Sequence, residues 1–142
     1  MAGTGGWFVW ALASAFFAAL TAIFAKIGVS GVPSDLATLI RTFVILPVLA
    51  AFVAATGQWV APSAIAARTW AFLALSGLAT GASWLCYFRA LQAGPASQVA
   101  PVDKFSVVLV ALLGVAFLGE TLDLKAAIAI AMIAGGVVLL AL

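Results

Sequence analysis

Gln98–Glu120, QVAPVDKFSVVLVALLGVAFLGE, sets an acid and a base side by side at the mouth of an apolar run. Between Lys104 and Glu120 lie 15 uncharged residues. They make about 22 Å of helix, short of the roughly 30 Å hydrocarbon thickness of a bilayer. A spanning helix must therefore begin earlier, near Ser97 or Gln98, which puts Asp103 and Lys104 one to two turns inside it. Ionised groups at that depth are expensive and mark an ion pair or a pathway.

The remaining chain has the same character. Its 142 residues are 67% hydrophobic and 7% charged, and its mean hydropathy of +1.32 lies far outside that of water-soluble domains. The sequence reads as an all-α integral membrane protein whose first partner is the lipid bilayer. No Lys or Arg precedes Trp7, and later segments are equally apolar, so the first segment reads as a retained span rather than a removable signal. The six basic residues are scattered singly and the formal net charge is +2, so there is no basic run for nucleic acid to bind. Cys86 is the single cysteine and histidine is absent, which excludes an intramolecular disulfide and the familiar zinc or haem spacings. No cofactor or metal is expected. With no nucleophile–base constellation or phosphate loop, an enzyme is not expected either.

Working outward, the apolar segments divide the chain into five transmembrane helices, about 7–26, 36–56, 70–93, 98–119 and 124–142, in one membrane domain spanning 1–142. The first opens on Trp7 and Trp10 as interfacial anchors and carries small residues from Ala11 to Ala25 at three- and four-residue spacing. After the turn Gly28–Pro33, Ser34 or Asp35 is placed to cap the second helix. That helix holds Arg41 about 7 Å inside its apolar stretch, and Pro47, which should kink it. Pro62-Ser63 reads as the start of a short interfacial helix reaching Arg68. In the third helix Ser76, Thr80, Ser83, Trp84 and Tyr87 share one arc about 100° wide. Gly77 and Gly81 form an adjacent packing stripe, and Arg89 points away from Tyr87. Asp123 is placed to cap the fifth helix.

Five spans put the two termini on opposite sides. One side then receives Lys26, Arg41, Arg89 and Lys104 with Asp35 and Asp103, and the other receives Arg68 and Lys125 with Glu120 and Asp123. With the embedded Arg41 and Arg89 set aside, the basic count is balanced, the pattern of a chain that inserts both ways and pairs antiparallel with its own copy.

The stretch GLATGASWLCYFRALQAGPAS (77–97), followed by QVAPVDKFSVVLV (98–110) and closing on FLGE (117–120), resembles the EamA-type domain of the drug/metabolite transporter superfamily. The likeness covers roughly Trp7 to Leu142. It implies a five-helix half of a fold whose usual members carry two such halves in inverted orientation. With one half encoded here, the resemblance implies that a second chain, most simply an antiparallel copy, supplies the other. The related small multidrug resistance transporters use a glutamate in the middle of their first span, whereas this chain has no acid in its first segment, so that proton-coupled mechanism is not expected.

The resemblance implies a small-molecule secondary transporter working by alternating access as an antiparallel homodimer, with a metabolite as substrate, anionic or zwitterionic in view of the basic mouth. With the alanine- and glycine-rich composition it also points to a bacterial cytoplasmic (inner) membrane. Substrate-pathway candidates are Arg41, Ser76, Thr80, Ser83, Trp84, Tyr87, Arg89, Asp103 and Lys104; gating or coupling candidates are Lys26 and Glu120. The plain structural alternative pairs Arg89 with Asp103 across the intervening turn and leaves Trp84 and Tyr87 as packing. Two other functional readings stay open: a non-transporting scaffold or accessory subunit, and a flippase for a lipid-linked carrier.

Overall fold

Apolar runs of this length fold as helices because a helix satisfies its backbone N–H and C=O groups within itself, which hydrocarbon cannot do. The computed structural model describes residues 6–141. It is all-helical, 84% helix, with no strand among the described residues. In chain order come α1 (Gly6–Gly28), α2 (Ser34–Ala55), a 3-10 turn (Pro62–Ala64), α3 (Ala67–Ala93), α4 (Ala96–Asp103), α5 (Ser106–Leu113), a π-helical turn (Gly114–Leu118) and α6 (Leu124–Ala141). Four stretches are long and apolar enough to cross a membrane: Gly6–Gly28, Ser34–Ala55, Ala67–Ala93 and Ala96–Leu118. Leu124–Leu140 is a shorter apolar helix.

Several boundaries and caps differ from the expectations. The helix expected over 98–119 begins at Ala96 and is broken at Lys104-Phe105. There the ladder tightens to i→i−3 bonds, with Lys104 N–H on Pro101 O and Phe105 N–H on Val102 O, both 3.0 Å. Pro101 contributes by having no N–H for the preceding turn. Neither Ser34 nor Asp35 caps α2. Pro33 takes the cap position with extended ψ, its carbonyl accepts from Ala37 N–H at 3.0 Å, and no side chain caps the helix. α2 runs through Pro47 without interruption. The interfacial helix expected up to Arg68 is only the Pro62–Ala64 turn, because α3 already starts at Ala67. Leu142, the last residue of the expected fifth helix, lies outside the described residues.

Other ends follow the local chemistry. α2 closes on Gly57 at φ 65, with Gly57 N–H on Ala54 O and Gln58 N–H on Val53 O, the two hydrogen bonds of a Schellman close. The π-helical turn closes on Gly119 at φ 69, and Gly114 O accepts from both Gly119 and Glu120 amides. Threonines inside the helices turn their hydroxyls onto the carbonyl four residues back: Thr38 on Ser34 O, Thr42 on Thr38 O, Thr80 on Ser76 O.

Contacts gather the chain into two compact units, Phe24–Gln92 and, separately, Met1–Ile23 with Ala93–Leu142. In the first, the buried residues are Ala25, Val29, Ser34, Thr38, Phe88 and Leu91, all near the end where α1 stops, α2 starts and α3 finishes. Leu91 is completely buried. By contrast every residue from Ala66 to Thr80 is exposed. A Cβ built on Gly77 or Gly81 would meet nothing within 4 Å, so the GxxxG face expected to pack tightly makes no close contact among the described residues. In the second unit, α6 packs against both α4 and α5, and Gly114 and Val137 are buried.

Asp123 does what its position implies: its Oδ1 accepts from Ala126 N–H at 2.7 Å at the start of α6. Asp123→Ala should cost about 1 kcal/mol and Asp123→Asn much less. Thermal melts of purified protein in detergent check this, with equal loss in both variants counting against the cap.

Candidate functional site

The Phe24–Gln92 unit holds Lys26, Arg41, Ser76, Thr80, Ser83, Trp84, Tyr87 and Arg89; Asp103, Lys104 and Glu120 belong to the other unit. Three polar links close the end of the first unit. Arg89 meets Asp35 side-on, Nε on Oδ1 at 3.0 Å and one terminal nitrogen on Oδ2 at 2.7 Å. Lys26 Nζ donates to Leu91 O at 2.6 Å, and Gln92 Nε2 donates to Val32 O at 3.2 Å. A cation at the last carbonyls of α3 suits the negative end of that helix. Between these links Phe88 and Leu91 fill the interior.

The Arg89–Asp103 pair considered from sequence is not formed. Arg89 pairs with Asp35, and Asp103 pairs with its own neighbour Lys104, Nζ to Oδ2 at 3.1 Å. Asp35 was legible only as a cap, although the span count already sorted it to the same side as Arg89. With two acids on that side, closeness in sequence favoured Asp103, while folding favoured the acid on the antiparallel neighbour. The side chains of Arg89 and Asp35 are 61% and 54% exposed, so in water such a pair would contribute little. Placed near a bilayer, it meets a medium in which unpaired charges are far less tolerated.

Arg41 sits about 10 Å along α2 from its start. Its guanidinium carbon lies 4.2 Å from the centroid of the Trp84 ring and 5.5 Å from that of Phe88, and Tyr87 sets its ring edgewise to Phe88 at 6.4 Å and 65°. Arg41 is half-buried and makes no hydrogen bond or ion pair among the described residues. The two rings stabilise its charge by about 1–2 kcal/mol. Placing arginine deep in a spanning helix costs roughly 2.5–3.5 kcal/mol even on the mildest scale. The stacking therefore leaves part of the cost uncovered and all five N–H donors unused.

The polar stripe of α3 does not act as one surface. Trp84 and Tyr87 are half-buried beside the Arg41 end, whereas Ser76, Thr80 and Ser83 are exposed and Thr80 is already bonded to its own helix. At the other end of the unit, a shallow groove of about 510 Å³ is lined by Val53, Trp59, Pro62, Ile65 and Trp70 among others. Trp70 Nε1 donates to Pro62 O at 3.2 Å, an arrangement suited to an interfacial tryptophan. None of the candidate charges lines this groove.

In the second unit, Lys104 is exposed and Asp103 half-buried at the α4–α5 break. Glu120, exposed after Gly119, folds its carboxylate back over Gly114, where an added Cβ would come within 2.6 Å of Oε2. The missing side chain at Gly114 is what gives Glu120 that position. A methyl there would be met by rotation of the flexible glutamate, not by a backbone shift.

A helical chain with several apolar spans and embedded charges is matched over residues 5–142 by the model of the EamA-like transporter family. The chain belongs to that family. It is 66% identical over 135 residues to an uncharacterized transporter in the cobO 3' region of Sinorhizobium sp., an alignment covering 95% of this chain and 96% of that protein. No solved structure matches it. As a member of that transporter family, with four helices long and apolar enough to cross a bilayer, the chain is a multi-pass membrane protein.

Arg89→Gln and Asp35→Asn should each lower the melting temperature in detergent, and the double variant should be scarcely worse than either single one. The exchange Arg89→Asp with Asp35→Arg should recover part of the loss. Additive losses with no recovery would mean that the pair does not link α3 to α2.

Proposed function

We propose that this EamA-family chain is a secondary transporter for a small organic anion or zwitterion, working by alternating access as an antiparallel homodimer in a bacterial cytoplasmic membrane. The five apolar segments over 1–142 act in this reading as one domain, half of an inverted pair, with the second copy supplying the other half. The observation that carries the reading is the first half of α3. Its GxxxG face, Gly77 and Gly81, meets nothing within 4 Å, and the neighbouring Ser76 and Thr80 are exposed. Faces of small residues drive helix association in lipid, so a second chain laid there would cover Gly77 and Gly81 and leave the neighbouring hydroxyls along the seam between the two copies. The near-balanced loop charges favour an inverted copy.

On this reading the pathway runs beside α3, with Ser76, Thr80, Ser83, Trp84, Tyr87 and Arg41 facing the solute, Arg89 and Lys26 closing one end, and Asp103, Lys104 and Glu120 acting in the second unit. C-terminal reporter fusions should give both orientations in one population, and a cysteine introduced at Gly77 should cross-link two chains. Purified protein in liposomes should carry an organic anion down its gradient. A single orientation throughout would remove the self-paired inverted dimer. Absence of flux together with co-purification of one larger protein would favour an accessory subunit.

A further inference from the structure

Among the charges of the Phe24–Gln92 unit, two arginines meet aromatic rings: Arg68, exposed at the start of α3, lies 5.9 Å from the Phe72 ring, whereas Arg41 is half-buried well inside α2. Arg89 is satisfied by Asp35, both of whose carboxylate oxygens are taken, and Lys26 donates to Leu91 O. Arg41 lies within the Ser34–Ala55 span, stacked on Trp84 and Phe88 with Tyr87 interacting with its charge, and has no ion pair among the described residues. Trp84 and Phe88 meet the guanidinium through their π faces and accept none of its N–H groups in the manner of an oxygen. A planar cation fixed over an indole with its donor fork unused is the arrangement that takes two oxygens of an anion side by side.

We infer that Arg41, stacked on Trp84 and Phe88, is a binding site for an oxyanion, a carboxylate or a phosphate group. The inference deepens the transporter reading and rests on it for the claim that the anion is transported. The binding itself stands on the cradle. Trp84 and Phe88 are positioning residues: they hold the guanidinium away from the head groups to which an unrestrained arginine would snorkel. Asp35, six residues earlier on the same helix, lies about 9 Å away along the axis and on a different face, and both its oxygens are bonded to Arg89.

Two sources supply such an oxygen pair, a soluble anion or a phospholipid head group, and the test separates them. The full chain is placed in phosphatidylcholine nanodiscs and titrated with acetate and with inorganic phosphate, following tryptophan emission and the melting temperature. Emission should change saturably in the wild type because an anion alters the charge over Trp84. Trp84→Phe should lose the emission change and keep the melting shift. Arg41→Gln should weaken apparent affinity by about tenfold or more, and Arg41→Lys should recover part of it. If neither anion binds, phosphatidylglycerol retained in native mass spectra by the wild type, and lost in Arg41→Gln, identifies the oxyanion as a lipid head group and upholds the site. Arg41→Gln indistinguishable from wild type with acetate, phosphate and phosphatidylglycerol, in protein that melts cooperatively, overturns it. Arg41-dependent binding without flux upholds the site and removes transport. Flux and binding untouched by Arg41→Gln overturn the site and leave transport standing.

Discussion

In hydrocarbon no water is at hand to solvate a polar group, so each charge and each backbone amide must find its partner in the protein, in a ligand or at the head groups. That requirement explains most of what this chain does with its few polar atoms. Threonine hydroxyls fold back onto their own helices, Gly57 and Gly119 allow the chain to reverse so that the last carbonyls of their helices are bonded, and Asp123 receives an amide at the start of α6. The side-on Arg89–Asp35 pair and the Lys26 bond to Leu91 O apply the same rule between helices. At Arg41 the requirement is met only by ring faces, with no hydrogen-bond acceptor for its N–H groups among the described residues.

The same constraint shapes the fourth segment. Asp103 and Lys104 stand eight and nine residues into a span that begins at Ala96, and the helix breaks beside them instead of carrying the pair through an unbroken turn. Pro101 has already weakened the ladder there, and the lysine reaches its adjacent aspartate without help from another helix. Further along, the π-helical turn and the notch at Gly114 let Glu120 lie back along the helix it follows. Such turns are frequent at functional sites. Two local departures from regular helix thus bracket α5, with Asp103 just before the first and Glu120 just after the second.

Packing within the chain is uneven. One end of the Phe24–Gln92 unit is tied by three polar links around buried Phe88 and Leu91, while α3 from Trp70 to Thr80 is exposed throughout. In water so much exposed apolar helix would aggregate; in lipid it is at home, because tails solvate leucine and phenylalanine as well as protein does. What lipid does not serve well is a face of glycine and hydroxyl, where little side-chain surface is offered and the backbone lies open. The fold is therefore tight where charges must meet and open where small residues lie.

The sequence alone determined the all-helical membrane character, the order of the apolar segments to within a few residues, the cap at Asp123 and the family, because each depends on hydrophobicity and on chemistry local along the chain. It also singled out Arg41, Trp84 and Arg89, since an ionised group or a large aromatic in an apolar run is conspicuous wherever it lies. Only the tertiary structure decided who partners whom: Arg89 with Asp35 across 54 residues, Arg41 with Trp84 and Phe88, and Asp103 with the neighbouring Lys104. Pairing depends on which helices run side by side and at what depth and rotation their side chains arrive. Those are properties of the folded chain, to which spacing along the sequence is a poor guide.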